Sequence, residues 1–72
     1  MDFTAQRQAL GRKIAEERKR QNLTQAKLAL MSNINEGYLC EVEKGIANVS
    51  ISKLLSIAQS LEIEASDLLK GI

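Results

Sequence analysis

The chain runs for 72 residues without a single proline and with only four glycines. These two residues most often stop helices and build tight turns. A sequence nearly free of them is steered towards helices and away from a many-turned β fold. The apolar residues agree, recurring at helical spacing almost throughout. At 44% they suffice for a compact core, and with Phe3 and Tyr38 as the only aromatics that core must be aliphatic. The length allows one domain, so residues 1–72 are expected to form a single all-α unit.

The same inventory removes whole classes of chemistry. There is no histidine, hence no imidazole base or metal ligand. The single cysteine, Cys40, has no partner for a disulfide or a Cys-rich zinc site. No nucleophile–base pair, metal set or phosphate loop is found, so neither an enzyme nor a cofactor is expected. No apolar run approaches the 18 or so residues of a membrane span, and no basic segment leads into an apolar stretch as in a secretory signal. A reduced, cytoplasmic setting is the expectation.

Five helices are predicted. Thr4 caps a first helix to about Gln21, in which Gly11, costing about 1 kcal/mol relative to Ala, suggests close packing against another helix. Thr24 caps a second over Gln25 to Met31, with Leu28 and Met31 facing inward and Ala29 small enough for close approach. Asn33 is suited to the left-handed conformation that ends a helix, and Ile34 plugs the turn. Asn35 caps a third helix over Glu36 to Lys44, stopped by Gly45, with Leu39 and Val42 inward. Ser50 caps a fourth to about Leu61, with a wide apolar face that includes Ile51, Leu54, Leu55, Ile57 and Ala58. Ser66 caps a last short one through Leu68 and Leu69.

The net charge of +1 does not by itself suggest a nucleic-acid partner, but its distribution is uneven. Residues 1–27 hold seven bases against three acids, a net +4, and residues 28–72 hold three against six, a net −3. The segment 23–45 has the arithmetic of a helix-turn-helix: a seven-residue helix, a tight turn and a nine-residue helix. Such a second helix can enter a major groove about 12 Å wide.

Here the residues resemble a known family. Leu23-Thr24-Gln25-x-x-Leu28-Ala29, Ile34, Tyr38-Leu39, Val42-Glu43-x-Gly45 and Ser50-Ile51 closely match the phage-repressor-like, or xenobiotic-response-element, helix-turn-helix family. The likeness extends through Leu54-Leu55, Ile57-Ala58, Leu61 and Asp67-Leu68-Leu69, covering about residues 8–70. It implies a five-helix domain that dimerises on pseudo-palindromic double-stranded DNA. The length resembles stand-alone members, and residues 45–51 are similar to controller proteins of restriction–modification systems, with Val49 where proline is common elsewhere.

The resemblance implies roles residue by residue. Gln25 contacts a phosphate and braces the recognition helix. Glu36 and Gly37 meet base edges, with Asn35, Tyr38, Cys40 and Glu41 on or near the same surface. Lys44 and Asn48, with Lys27, approach phosphates; about four phosphates neutralised per subunit would give a dimer a salt slope near −7. Arg18 and Glu43 form a structural ion pair. The carboxylates are unusual at a DNA surface: Glu36 either accepts from cytosine N4 or is a solvated acid at a helix start. Cys40 reads as a small surface residue rather than a redox sensor. The apolar residues from Ile51 to Ile72 are too many for one small core, and of these Ile51, Leu55, Ile63, Leu68, Leu69 and Ile72 are assigned to a homodimer interface. Two readings stand: a sequence-specific transcriptional regulator, or a protein-interaction module such as an antitoxin or regulator antagonist on the same fold.

Overall fold

The computed structural model describes residues 2–72. Its helices are α1 (Thr4–Arg20), α2 (Gln25–Met31), α3 (Glu36–Glu43), α4 (Ile51–Ser60) and α5 (Ala65–Leu69), and the described residues contain no strand. The three short-side-chain caps form as their chemistry requires. Thr24, Asn35 and Ser50 each accept a hydrogen bond from the backbone N–H three residues on, at Lys27, Tyr38 and Lys53.

Two other caps differ from expectation. Thr4 is the first residue of α1, and the cap position falls on Phe3, whose side chain makes no capping bond; the Asp2 carboxylate instead accepts from the Thr4 N–H at 2.9 Å. At α5 the residue before the helix is Glu64 and not Ser66; the Glu64 N–H donates to the Asp67 carboxylate at 3.1 Å. Asp67, the third residue of the helix, thus reaches back to the N–H of the residue before it, the reciprocal half of a capping box.

The helices end by left-handed residues. Asn22 (φ 60°), Asn33 (φ 56°) and Glu62 (φ 58°) follow α1, α2 and α4, and Gly45 (φ 78°) follows α3. At the α2 end the Ile34 N–H reaches back to the Ala29 carbonyl at 2.9 Å, closing the turn beneath the core-packed Ile34 side chain.

The core joins all five helices: Leu10 and Ile14 from α1, Leu28 and Ala29 from α2, Leu39 and Val42 from α3, Leu54, Ile57 and Ala58 from α4, Leu61 just after it, and Leu68 from α5. α3 packs on α1 and α2, α4 on α2 and α5, and α5 returns to α1. Met31 is 45% exposed, against the inward position expected for it, because Leu28 and Ala29 fill the inner face of so short a helix. The apolar face of α4 is also narrower than expected. Leu54, Ile57 and Ala58 are buried, while Ile51 and Leu55 are exposed.

Candidate nucleic-acid interface

The inner side of α3 is clamped by α1. Gly11 is the point of closest approach: a Cβ there would lie 2.4 Å from the Val42 carbonyl oxygen and 2.5 Å from that of Glu43. No other residue lets the helix backbones meet so closely. One turn earlier, Arg7 Nε donates to the Gly45 carbonyl at 3.2 Å. Gly45 itself abuts Gln8, whose backbone would lie 2.7 Å from a Cβ.

The other end of the clamp is ionic. Arg18 gives Nε to one Glu43 oxygen at 2.8 Å and Nη2 to the other at 3.0 Å, a bidentate pair with both side chains nearly buried. Its remaining Nη1 donates to the Leu23 carbonyl at 2.8 Å. The hydrogen bonds to Glu43 hold the guanidinium pKa above its ordinary value, outweighing desolvation, so Arg18 stays charged. Gln25 adds a third bond, its Nε2 donating to Glu43 at 2.9 Å. Of the two roles expected for Gln25, bracing is thus visible as a contact, and it uses one of the two amide N–H donors. Arg18 and Glu43 leave no buried side-chain polar atom unpartnered.

A second set of polar ties holds the turn. The Ser32 hydroxyl donates to Ser60 at 2.9 Å, and the Ser56 hydroxyl donates to the Ser32 carbonyl at 2.9 Å, joining the helix-turn-helix to α4.

With its inner side so engaged, α3 turns Glu36, Gly37 and Glu41 fully outward, and its C-cap Lys44 follows. Tyr38 and Cys40 are half-buried, and the thiol is free. Asn35 is exposed but its Oδ1 is committed to the cap. Lys27 on α2 and Asn48 in the following loop are exposed at the rim. The ten nucleic-acid candidates therefore lie along α2, α3 and the segments flanking α3, with Gln25 half-buried and bonded to Glu43 at the end of α3.

The candidate dimer residues divide. Ile51, Leu55, Leu69 and Ile72 are exposed to 70, 54, 43 and 37%. Leu68 is only 2% exposed and belongs to the chain's own core, so it is not available to a partner, and Ile63 is half-buried against that core. The fifth helix returns to α1 and takes Leu68 with it. Sequence reasoning missed Arg7, Gln8 and the serine ties. A signal for Arg7 was present: positions 7, 11, 14 and 18 form one stripe at helical spacing.

Residues 14–68 match the helix-turn-helix family. The chain belongs to that family. Over 57 residues it is 37% identical to the immunity repressor protein of Bacillus phage phi105, covering 79% of this chain and 40% of the repressor, so it spans less than half the length of that relative. Over 60 residues it is 32% identical to the control protein C.BamHI of Bacillus amyloliquefaciens, covering 82% of this chain and 74% of that one. The solved structure of the restriction-modification controller protein C.AhdI of Aeromonas hydrophila superposes with a TM-score of 0.88 at 34% identity, covering 89% of this chain and 97% of that one. The fold and these likenesses make the protein a helix-turn-helix DNA-binding transcription regulator.

Proposed function

We propose that the chain works as a homodimer on a pseudo-palindromic operator, laying α3 of each subunit in the major groove, as a non-catalytic regulator of the controller-protein kind. The observation that carries this is the asymmetry of α3. Its inner side is locked to α1 by Gly11 and the Arg18–Glu43 pair, while Glu36, Gly37 and Glu41 face solvent. A rigidly held helix with free outer side chains is what base readout needs.

Lys27, Lys44 and Asn48 are assigned to phosphates, which set register without reading sequence. The exposed Ile51 and Leu55, one turn apart on α4, and Leu69 and Ile72 at the chain's end support a two-fold interface. Two recognition helices about 34 Å apart would then meet successive turns of the groove. Similarity to controller proteins favours control of the chain's own gene.

A gel shift on the DNA upstream of that gene tests the reading, with sedimentation run beside it. The expected result is a dimer at micromolar concentration and a retarded band, both weakened in Leu55→Asp. A folded wild type that stays monomeric overturns the dimer. A folded wild type that shifts no such DNA favours the protein-interaction reading, to which the charge-neutral outer face of α3 and its rim lends support.

A further inference from the structure

The outer face of α3 lacks the side chains that most often read bases. From Glu36 to Glu43 it carries no arginine, lysine, asparagine or glutamine. Asn35, just before it, has its Oδ1 already accepting from the Tyr38 N–H at 3.2 Å, so its amide is held at the helix start by the capping bond. Lys44 stands at the far end, beyond the last helical residue. What the helix offers instead is carboxylate. Glu36 and Glu41 are exposed, and the ion pairs among the described residues, Arg18–Glu43 and Arg20–Glu17, include neither.

A carboxylate only accepts hydrogen bonds. Guanine and thymine present acceptors in the major groove and repel it. Adenine presents its N6 donor beside the N7 acceptor, which places lone pairs against the second carboxylate oxygen. Cytosine alone presents a donor, N4, with no acceptor of its own next to it. The residue placed to use this is Glu36. It occupies the first position of α3, the end that reaches base edges in this docking geometry. Its neighbour Gly37 has no side chain to compete for the same base pair.

Resting on the DNA-binding reading above, we propose that Glu36 is a specificity-determining residue and that its base is cytosine, recognised through the N4 amino group. The same negative charge disfavours every register in which it faces a phosphate, so discrimination comes partly from repulsion.

The test is selection from a duplex library with a randomised 20-base-pair centre, using the wild-type chain, Glu36→Gln and Glu36→Ala, each checked for an unchanged melting curve. The wild type is expected to enrich a cytosine at one position of each half-site. Glu36→Gln should move that position to adenine, since a carboxamide pairs with N6 and N7. Glu36→Ala should lose preference there and keep the rest of the site. In the wild-type site, N4-methylcytosine at that position removes the groove-side N–H. It should weaken wild-type binding about five- to ten-fold, as expected for one lost base contact, and leave Glu36→Ala within about two-fold. One consensus shared by all three proteins, with cytosine unaffected, overturns the assignment while leaving DNA binding intact. Failure of all three to enrich any sequence overturns the DNA-binding reading and this assignment together.

Discussion

Replacing Gly11 by alanine tests whether the α1–α3 contact holds the recognition helix. Two effects oppose each other. Alanine is the better helix former by about 1 kcal/mol, and at an open position of a 17-residue helix the exchange would stabilise. Here the new methyl would lie 2.4 Å from the Val42 oxygen, 2.5 Å from the Glu43 oxygen and 2.8 Å from the Glu43 carbonyl carbon. All three are backbone atoms of α3, so no side chain can swing aside. Relief requires the helices to part, loosening Leu39 and Val42 and stretching the Arg18–Glu43 bonds. Overpacking of this kind costs up to about 3 kcal/mol, leaving a net loss near 2 kcal/mol. In a domain of this size that is about 8–16 °C in Tm. Thermal unfolding by circular dichroism should be followed at one fixed protein concentration, because association raises apparent stability. A Gly11→Ala protein melting at or above the wild-type temperature would refute the argument that backbone contact, and not helix propensity, decides this position.

Further outcomes are expected elsewhere. Glu43→Gln leaves the buried Arg18 guanidinium without its charge partner and should destabilise by about 3 kcal/mol; its effect on the selected DNA sequence should be slight, and unchanged stability would show that the pair is dispensable. At φ 56°, Asn33→Gly should be tolerated, whereas Asn33→Val, a β-branched residue forced into the left-handed region, should cost more than about 1 kcal/mol in urea unfolding. Lys44→Ala should reduce the salt slope of DNA binding by about two for a dimer, one phosphate per subunit, without changing which sequence is preferred; an unaltered slope would remove Lys44 from the phosphate contacts.

How far the sequence revealed this depended on how local the cause was. The caps at Thr24, Asn35 and Ser50 and the turn at Asn33 are set by residues within five positions of one another, and they could be read directly. Gly11 could be suspected because glycine inside a long helix demands a reason, but the partner backbone lies more than 30 residues away. The Arg18–Glu43 pair came from family resemblance alone, since no spacing rule joins positions 25 apart. The errors fell on short elements. Two turns of α2 cannot distinguish Leu28-Ala29 from Leu28-Met31 as the inner pair. In α5 a choice between Glu64 and Ser66 as cap shifts the frame by two residues. Leu68 and Leu69 are adjacent, and only the return of α5 to α1 decides which one enters the core.

The two jobs of α3 are carried by separate residues. Leu39, Val42 and Glu43 fasten the helix; Glu36, Gly37 and Glu41 touch nothing in the core. Retargeting is therefore open at Glu36 and Glu41 without compensating changes beneath, whereas a Cβ at Gly37 would lie 3.0 Å from the Asn35 Oδ1 that caps the helix. Substitutions there can be sampled in combination while the scaffold stays near its starting stability, and new binding sequences can arise by drift or by library screening before any loss of folding intervenes.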